Sequence, residues 1–344
     1  MQIGFRCDAT TEFGWGHFAR CLTLADQVAE LGASPIFFMH QPNAQIQQLL
    51  TRCDYQLVSL SSESQPIDSA SLKLLVVDHY RLDATWWQPV RQQDTAIMVM
   101  NDQGISQPLA DIIWDVAADK LESGAPEGQL TLLGPKFALL RKEFSELAST
   151  NQSQASPPSR DFRLMIGIGA TDPENTGGLL LKWLNMQSNE LPCSLAITLL
   201  SGSANPHLAS LQHQFPEVQF EIDSSQVAKC MAEQDLIVTG PGNMMWEAFS
   251  LGVPCALIKT CNNQTRNLKL VETLMPDVYL GTEGQLDRER VVHTLLNLIK
   301  NNARRIELKA RALQLCDGQG ARRVARRLIE FIRERNDRSK PTAE

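Results

Sequence analysis

The chain has 344 residues, of which 43% are hydrophobic and 21% charged, with a formal net charge of −7 at pH 7. A single hydrophobic core rarely extends beyond roughly 250 residues, so this length predicts two domains. The negative net charge argues against nucleic-acid binding, which needs a basic surface. The N-terminus lacks a signal-like pattern and no apolar run is long enough to span a membrane, so we expect a cytoplasmic protein without membrane insertion.

Short apolar strands alternate with helical periodicity along the whole chain. In the first half the predicted strands read "IGFRC", "PIFFM", "LKLLVVD" and "AIMVMND". In the second half they read "FRLMIGI", "CSLAITLL", "VQFEI", "DLIVTG" and "VPCALIK". Alternation of buried strands and helices is typical of parallel sheets covered on both faces. The fold class predicted is therefore α/β, with two Rossmann-like domains whose parallel sheets face each other across a ligand-binding cleft.

A polar segment divides the two halves. Residues 149–161, "STNQSQASPPSRD", offer almost nothing to bury and are predicted to form a linker. The predicted domains are residues 1–148 and 162–344. The last helix is amphipathic between Ala321 and Ile332. It either belongs to the C-terminal domain or packs back on the N-terminal one.

A glycine turn opens the first long helix and is followed at once by a histidine. The segment Gly14-Trp15-Gly16-His17 matches a dinucleotide-binding fingerprint only formally, because it lies about seven residues beyond the strand and the next strand ends in His40 and Gln41 rather than an acidic residue. We therefore predict no nicotinamide cofactor. The positive end of the helix would keep the His17 imidazole neutral and able to accept a proton from water. The alternative is that His17 only caps the helix or packs.

A second glycine turn lies in "DLIVTGPGNMMWEAFSLGVP", which predicts strand, turn and helix. Gly240 and Gly242 would let the backbone approach a phosphate, with the amides of Asn243 and Met244 directed at it. Glu247 could bind both ribose hydroxyls, or could simply be an acidic residue favoured near the helix start. Two further loops, "GIGATDPENTGG" at 167–178 and "CNNQTRN" at 261–267, also precede predicted helices. No Asp-x-Asp motif occurs, so we expect no catalytic metal ion.

The order and spacing of several stretches resemble a known family. They are "GFRCDATTEFGWGHFARCLTLA", "VVDHYRLDATWW", "LLGPKFALLRKEF", "DPENTG", the "WE" of 246–247, the "NNQ" of 262–264 and "DGQGARRVA". The chain is similar over most of its length to the hydrolases of the pseudaminic acid pathway that release UDP from UDP-2,4-diacetamido-2,4,6-trideoxy-β-L-altropyranose. It resembles more distantly the glycosyltransferase that makes lipid II from UDP-N-acetylglucosamine.

The resemblance implies a GT-B architecture in which the C-terminal domain holds most of the UDP. The family's catalytic histidine falls on His17, and its Asp-His-Tyr segment falls on residues 78–80, with Tyr80 expected near the sugar. The ribose-binding acid falls on Glu247. The remaining candidates are Asp8 in the catalytic group, with Gly14, Gly16, Arg20, Asn263 and Gln264 in the pocket for sugar and nucleotide.

One segment departs from the family pattern. Asn243, Met244 and Met245 stand where the family usually has small hydroxyl residues, and Pro241 stiffens the turn. Backbone amides could still bind the phosphates, although the hydrogen bonds that side-chain hydroxyls would donate to the diphosphate are lost.

The function predicted is hydrolysis of a UDP-linked deoxyamino sugar at its anomeric carbon with inversion, without a cofactor. His17 would be the general base, and the helix after Gly242 would stabilise the departing diphosphate. Two alternatives stay open: a glycosyltransferase of the same fold, and a non-catalytic binder of nucleotide sugars. The predicted partner is the small-molecule substrate.

Overall fold

The structure is a computed structural model that describes residues 1–9, 15–107, 109–118, 124–150, 161–187 and 194–338. Gly14 and residues 151–160 of the predicted linker lie outside the described residues. The chain divides into two compact units. The first comprises Met1–Arg141 and Gln319–Glu344, and the second comprises Lys142–Gly318. The predicted α/β fold with two parallel sheets is confirmed.

The first unit contains a sheet of seven parallel strands. The strands are β1 Gln2–Cys7, β2 Ser34–His40, β3 Gln56–Leu60, β4 Leu72–Asp78, β5 Ala96–Met100, β6 Ile112–Asp115 and β7 Leu130–Leu133. Its helices, numbered along the whole chain, are α1 Gly16–Glu30, α2 Ala44–Arg52, α3 Ala84–Gln92 and α12 Gly320–Arg338. The spatial order of the strands is β3-β2-β1-β4-β5-β6-β7.

The second unit contains a parallel sheet of six strands in the order β10-β9-β8-β11-β12-β13. The strands are β8 Phe162–Gly167, β9 Leu195–Ser201, β10 Gln219–Ile222, β11 Leu236–Thr239, β12 Cys255–Lys259 and β13 Tyr279–Thr282. Its helices are α4 Lys142–Thr150, α5 Thr176–Asn185, α6 Leu208–Gln214, α7 Val227–Ala232, α8 Asn243–Ser250, α9 Thr265–Leu274, α10 Arg288–Lys300 and α11 Asn302–Leu315.

Each sheet has one point at which the strand order reverses. In the first unit the chain runs outward from β1 to β3 and then returns to β4, on the other side of β1. In the second unit the same reversal separates β8 from β11. Loops that leave neighbouring strands in opposite directions create a crevice beyond the carboxyl ends of those strands. The ends of β1 and β4, and those of β8 and β11, are therefore the positions at which ligand-binding side chains are expected.

Two helices lie next to the positions in the sequence at which the chain passes from one unit to the other. The helix α4, which begins at Lys142, belongs to the second unit, where it packs against α7 and α8. The helix α12 belongs to the first unit and packs against α1 through a buried stripe that includes Val324 and Leu328. Its start has no room for a side chain, since a Cβ at Gly320 would lie 2.2 Å from the carbonyl oxygen of Ala138.

Candidate functional site

His17 is the second residue of α1 and lies at the reversal point of the first sheet. The register pairs Cys7, the end of β1, with Asp78, the end of β4, so the α1 helix that follows β1 starts beside the end of β4. Nδ1 of His17 lies 2.6 Å from Oδ1 of Asp78. Both side chains are buried. The strand order therefore joins two residues that are 61 positions apart in the sequence.

The contact with Asp78 defines the tautomer of His17. A carboxylate accepts hydrogen bonds, so Nδ1 carries the proton that is donated to Asp78, and Nε2 carries the lone pair of the neutral ring. Nη2 of Arg20 lies 3.2 Å from the same Nδ1 and also donates to Oδ1 of Asp78. From the sequence alone, only the positive end of α1 was expected to act on the His17 imidazole. The structure adds a carboxylate in direct contact with Nδ1, which orients the ring.

Arg20, which was predicted to line the pocket, binds two carboxylates. Its Nε donates to Oδ2 of Asp78 at 2.6 Å, and Nη1 lies 2.7 Å from Oδ2 of Asp102. Burial alone would raise the pKa of Asp78, but the charges and hydrogen bonds of Arg20 and His17 outweigh it and hold that pKa well below its usual range. Burial alone would lower the pKa of Arg20, whereas Asp102 and Asp78 raise it well above its usual range. Asp78 is therefore ionised at neutral pH.

Tyr80 lies beside the imidazole. Its ring meets that of His17 edge to face, with 4.6 Å between the centroids, and its hydroxyl donates to Oδ2 of Asp102 at 3.2 Å. Asp102 was not among the predicted site residues. The available signal was its position two residues beyond the end of β5, the strand next to β4, because carboxyl ends of adjacent strands meet at one edge of a sheet.

Asp8, predicted to be catalytic, has four hydrogen-bond donors of its own. Arg6 binds both of its oxygens, at 2.6 and 2.9 Å, and the amide of His40 donates at 2.8 Å. Nε2 of His79 lies 3.2 Å from Oδ2. Burial alone would raise the pKa of Asp8, but the hydrogen bonds of His79 and Arg6 and the charge of Arg6 lower it well below its usual range. We interpret Asp8 as an anchor of the strand ends rather than a base.

Gly16 begins α1, and a Cβ there would meet no described atom within 4 Å. Among the residues that the structure describes, no contact therefore explains a glycine at this position. The preceding Trp15 provides no side-chain cap for the helix, and its indole packs edge to face on Phe18.

The second glycine turn joins β11 to α8 at the reversal point of the second sheet. The amide of Gly242 donates to the carbonyl of Gly240 at 2.8 Å, and Gly242 precedes α8 without a side-chain cap. The first amides of a helix have no acceptor within the helix. The amides of Asn243 and Met244 therefore stand at the positive end of α8, as the sequence predicted.

The polar segment after β12 supports this turn. A Cβ on Gly240 would lie 2.8 Å from Nε2 of Gln264, so the close packing of Gln264 requires glycine. The amide of Thr260 donates to Oε1 of Gln264 at 2.8 Å, and Nδ2 of Asn267 donates to the carbonyl of Pro241 at 3.1 Å. The structure thus brings the predicted Gln264 and Gly240 together. The predicted neighbour Asn263 accepts from Sγ of Cys261 through its side-chain oxygen.

Glu247 lies one turn into α8 and on the same face as Asn243, because residues four apart share a face of a helix. Only 7% of Glu247 is exposed. A buried carboxylate one turn from a set of helix amides can bind hydroxyl groups of a molecule whose phosphates contact those amides.

The helix start after the glycine-rich loop at 167–178 is already bound by two carboxylates, Asp172 of the loop and Glu283, which follows β13. Asp172 accepts from the amides of Thr176 and Gly177, each at 2.8 Å, and so caps α5. Oγ1 of Thr176 donates to Oε1 of Glu283 at 2.8 Å, and burial raises the pKa of Glu283. Asp172 already occupies the position that a phosphate would take at this helix start, and its negative charge would repel the phosphate. Of the two glycine-rich helix starts in this unit, α8 is the better candidate for a diphosphate.

Met244 packs against the end of β8. A Cβ on Gly167 would lie 2.8 Å from Sδ of Met244, so the thioether lies directly over the backbone of that glycine. The methionine therefore has a packing partner as well as a place in the turn.

We expect Met244→Thr to leave the affinity for UDP unchanged or slightly higher, since the new hydroxyl can donate to a phosphate while the backbone amides stay in place. The lost contact with Gly167 should lower the free energy of unfolding by about 1 kcal/mol. Calorimetry with UDP and chemical denaturation measure the two effects, with Met244→Leu as the control that keeps the apolar contact. A more than tenfold loss of affinity in the threonine variant alone would contradict this expectation.

Within the described residues, no three His, Cys, Asp or Glu side chains are grouped so that they could hold a metal ion. Among the described helices, none is both long and apolar enough to cross a membrane.

No protein-family model matches the chain. The chain is 26% identical over 278 residues to the UDP-2,4-diacetamido-2,4,6-trideoxy-beta-L-altropyranose hydrolase of Campylobacter jejuni, covering 77% of this chain and 93% of the relative. It is 21% identical over 340 residues to the spore coat polysaccharide biosynthesis protein SpsG of Bacillus subtilis, covering 94% and 96%.

The fold is similar to that of a solved structure. MurG of Acinetobacter baumannii superposes with a TM-score of 0.68 at 13% identity, covering 96% of this chain and 99% of that one. At this identity the likeness concerns the fold. The chain therefore has a GT-B fold with two parallel α/β units, and its sequence is similar to those of the UDP-diacetamido-trideoxy-altropyranose hydrolase and SpsG.

Proposed function

We propose that the protein hydrolyses a UDP-linked deoxyamino sugar at the anomeric carbon, with inversion, and releases UDP and the free sugar. The first candidate substrate is UDP-2,4-diacetamido-2,4,6-trideoxy-β-L-altropyranose, which the name of the Campylobacter relative contains. The observation that supports hydrolysis best is the buried pair of His17 and Asp78, because it provides an oriented proton acceptor.

In the proposed reaction a water molecule attacks the anomeric carbon on the face opposite to UDP. Nε2 of His17 takes one proton of that water, Nδ1–H stays bonded to Asp78, and the electron pair of the breaking carbon–oxygen bond leaves with UDP. The developing positive charge on the imidazole is stabilised by the Asp78 carboxylate in direct contact. The other face of the sugar needs no base in a single displacement.

The departing diphosphate is assigned to α8 of the second unit. Backbone amides at Asn243 and Met244, together with the helix dipole, would stabilise the negative charge that UDP gains as the bond breaks. The turn is held in shape by Gln264 and Asn267 from the neighbouring segment. A preformed turn of this kind needs no reorganisation during the reaction. We therefore propose that the chemistry proceeds without a divalent cation.

We expect Glu247→Gln to weaken UDP binding by about 10- to 150-fold, because the amide keeps the shape of the carboxylate but removes the charge that two ribose hydroxyls would bind. Titration calorimetry with UDP measures the change. Glu272→Gln, which alters an exposed carboxylate of the same unit, is the matched control and should bind UDP normally. Wild-type affinity in the Glu247 variant would contradict the ribose assignment.

A glycosyltransferase is the second candidate, since the GT-B fold is shared with solved glycosyltransferases. A binder without catalysis is the third, because Asn243, Met244 and Met245 replace the hydroxyl residues expected of a diphosphate turn.

One assay separates the three functions. The protein is incubated with UDP-, GDP- and CMP-linked deoxyamino sugars, with and without an alcohol acceptor and with EDTA present, and the released nucleotide and free sugar are measured. Hydrolysis predicts equal amounts of UDP and free sugar without an acceptor. Release that requires the acceptor would indicate a transferase, and tight UDP binding without any turnover would indicate a binder.

A further inference from the structure

The carboxylate of Asp78 receives two donors on each of its oxygens. Arg20 spans the group, with Nη2 donating to Oδ1 and Nε donating to Oδ2 at 2.6 Å. Nδ1 of His17 is the second donor to Oδ1. The thiol of Cys21 is the second donor to Oδ2, with 3.6 Å between Sγ and the oxygen. A carboxylate has about four lone-pair sites, so these four contacts fill them.

The three donating residues lie on one face of α1. His17, Arg20 and Cys21 stand at positions i, i+3 and i+4 of the helix, a spacing that places their side chains next to one another. The register of the strands pairs Cys7 with Asp78, so the helix that follows β1 starts beside the end of β4. The sequence "HFARC" of residues 17–21 therefore directs three donating side chains at one carboxylate.

Cys21 keeps the proton that it donates. The side chain is fully buried, and this burial raises the pKa of the thiol well above its usual range. A hydrogen bond with Cys7 and the negative charge of Asp78 raise the pKa further. A thiol has one proton, and an ionised carboxylate is a stronger acceptor than the sulfur of Cys7. The proton of Cys21 is therefore directed to Asp78.

The length of this contact suits sulfur and not oxygen. Hydrogen bonds between a hydroxyl and an oxygen are about 2.5–3.0 Å long, so a serine oxygen at the position of Sγ would be too far from Oδ2. A hydroxyl on a helix also bonds to the carbonyl one turn earlier, as Oγ1 of Thr23 does with Ala19 at 2.9 Å. Cysteine therefore provides a reach and a proton that serine does not provide here.

Loss of the thiol would make the contacts of Asp78 uneven. Oδ1 would keep its donors from His17 and Arg20, while Oδ2 would keep Nε of Arg20 alone. Asp78 is buried, and a buried acceptor that loses a donor is costly, so the carboxylate and the guanidinium would move together to regain one. Because Nδ1–H of His17 is bonded to Oδ1, the imidazole would turn with them.

We propose that Cys21 is a positioning residue of this site, whose thiol holds the Asp78 carboxylate in the orientation in which Oδ1 receives Nδ1–H of His17. The inference rests on the proposed function in that the oriented imidazole accepts the proton of water. Cys21 acts through Asp78 and does not need to touch the substrate.

Two variants separate the donor from the volume of the side chain. Cys21→Ala removes both, and Cys21→Val removes the donor but fills the space. The turnover number for UDP release should fall by about 3- to 10-fold in both variants, the effect of one lost hydrogen bond, with KM and UDP affinity within about twofold of the wild type. Cys255→Ala, which removes a buried thiol of the second unit, is the matched control and should keep the wild-type turnover number.

Two kinetic results would overturn the inference. Turnover restored in Cys21→Val but not in Cys21→Ala would show that the residue acts by filling space. Wild-type turnover in both variants would show that the thiol has no part in the reaction.

A second readout does not depend on turnover. The infrared S–H stretching band of Cys21, isolated as the difference between the spectra of the wild type and Cys21→Val, reports the strength of its hydrogen bond. The same difference taken in Asp78→Asn should show the band at higher frequency, because a neutral amide oxygen is a weaker acceptor than a carboxylate. A band at the same frequency in both backgrounds would contradict the hydrogen bond on which the inference depends.

A third readout needs no substitution of Asp78. The Nδ1–H proton resonance of His17, assigned by its absence in His17→Asn, should be displaced in Cys21→Ala and in Cys21→Val and unchanged in Cys255→Ala. A resonance at its wild-type position in both Cys21 variants would show that the thiol does not position the ring.

The two proposals fail differently. If the wild type releases no nucleotide from any substrate but the His17 resonance moves in both Cys21 variants, the proposed hydrolysis is wrong and the positioning of the ring by Cys21 stands. If His17-dependent hydrolysis is found and both Cys21 variants keep the wild-type turnover number, the hydrolysis stands and Cys21 has no such role.

Discussion

Replacing His17 with asparagine is expected to lower the turnover number for UDP release by about 10²- to 10⁴-fold, the usual effect of losing a general base. Asparagine can still donate to Asp78 from its amide group, so the buried pair keeps a hydrogen bond, but no atom of the new side chain can take a proton from water. UDP affinity should stay within a few-fold of the wild type, since UDP is assigned to α8. Stopped assays of UDP release under saturating substrate measure the effect.

The alternative is that His17 only packs at the start of α1. In that case His17→Asn should lower the melting temperature and leave the rate per folded molecule nearly intact. Both quantities should be measured on one preparation. His213→Asn, which changes an exposed histidine on α6, is the matched control. The wild-type rate should rise with pH as the imidazole loses its proton, and this limb should be missing in His17→Asn. Normal turnover in the variant would end the catalytic assignment.

Replacing Asp78 with asparagine is expected to have an effect of similar size on the rate, about 10²- to 10⁴-fold. The two oxygens of Asp78 receive Nδ1–H of His17 and two N–H groups of Arg20. Asparagine offers one oxygen, so its NH₂ group must face a donor of His17 or Arg20. The tautomer of His17 is then no longer fixed. Steady-state kinetics measure the loss, and Asp68→Asn, an exposed carboxylate of the same unit, is the control.

The same variant should be less stable by about 3 kcal/mol at pH 7, because it breaks a buried ion pair. The pKa of Asp78 is lower in the folded protein than its ordinary value of 3.8, so the folded state binds fewer protons than the unfolded state. The stability from ionised Asp78 is therefore complete at neutral pH and lost as the pH falls below about 4. Denaturation at several pH values should show the difference between wild type and variant narrowing below that pH. A difference that is constant with pH would contradict the assignment.

Much of the fold could be predicted because its inner strands are long apolar runs. β4, "LKLLVVD", and β1 are buried along almost their whole length, and such nearly continuous apolar runs are typical of the inner strands of a parallel sheet. The strands that were missed, β3, β6, β7 and β13, have only four or five residues each. Runs that short are difficult to distinguish from loop segments by periodicity, and only some strands of this length, such as β10 and β11, were predicted. The unit to which α4 and α12 belong depends on which surface their apolar stripes meet, and a single sequence does not contain that information.

The candidate site also contains some residues that the sequence could predict and some contacts that it could not. His17 and the turn at Gly240 have local signals, a glycine turn followed by a helix, and were predicted from them. The partnership of His17 with Asp78 depends on β1 and β4 being neighbours, which follows from strand order and not from spacing. The contact of Asp102 with Arg20 requires in addition that β5 lies next to β4. Asp8 has a local signature too, a carboxylate directly after a strand, but that signature does not show that Arg6, two positions earlier, binds both of its oxygens.

The central claim is that water attacks the sugar and not the phosphorus. It is tested most directly by one turnover experiment in H₂¹⁸O with UDP-2,4-diacetamido-2,4,6-trideoxy-β-L-altropyranose, with the mass of the released UDP measured and the first-formed anomer followed by proton NMR. Attack of water at the anomeric carbon should give UDP without ¹⁸O, because the carbon–oxygen bond breaks. The first sugar product should have the opposite anomeric configuration, because a single displacement inverts the carbon. Labelled UDP, or a first product that retains the configuration, would contradict it.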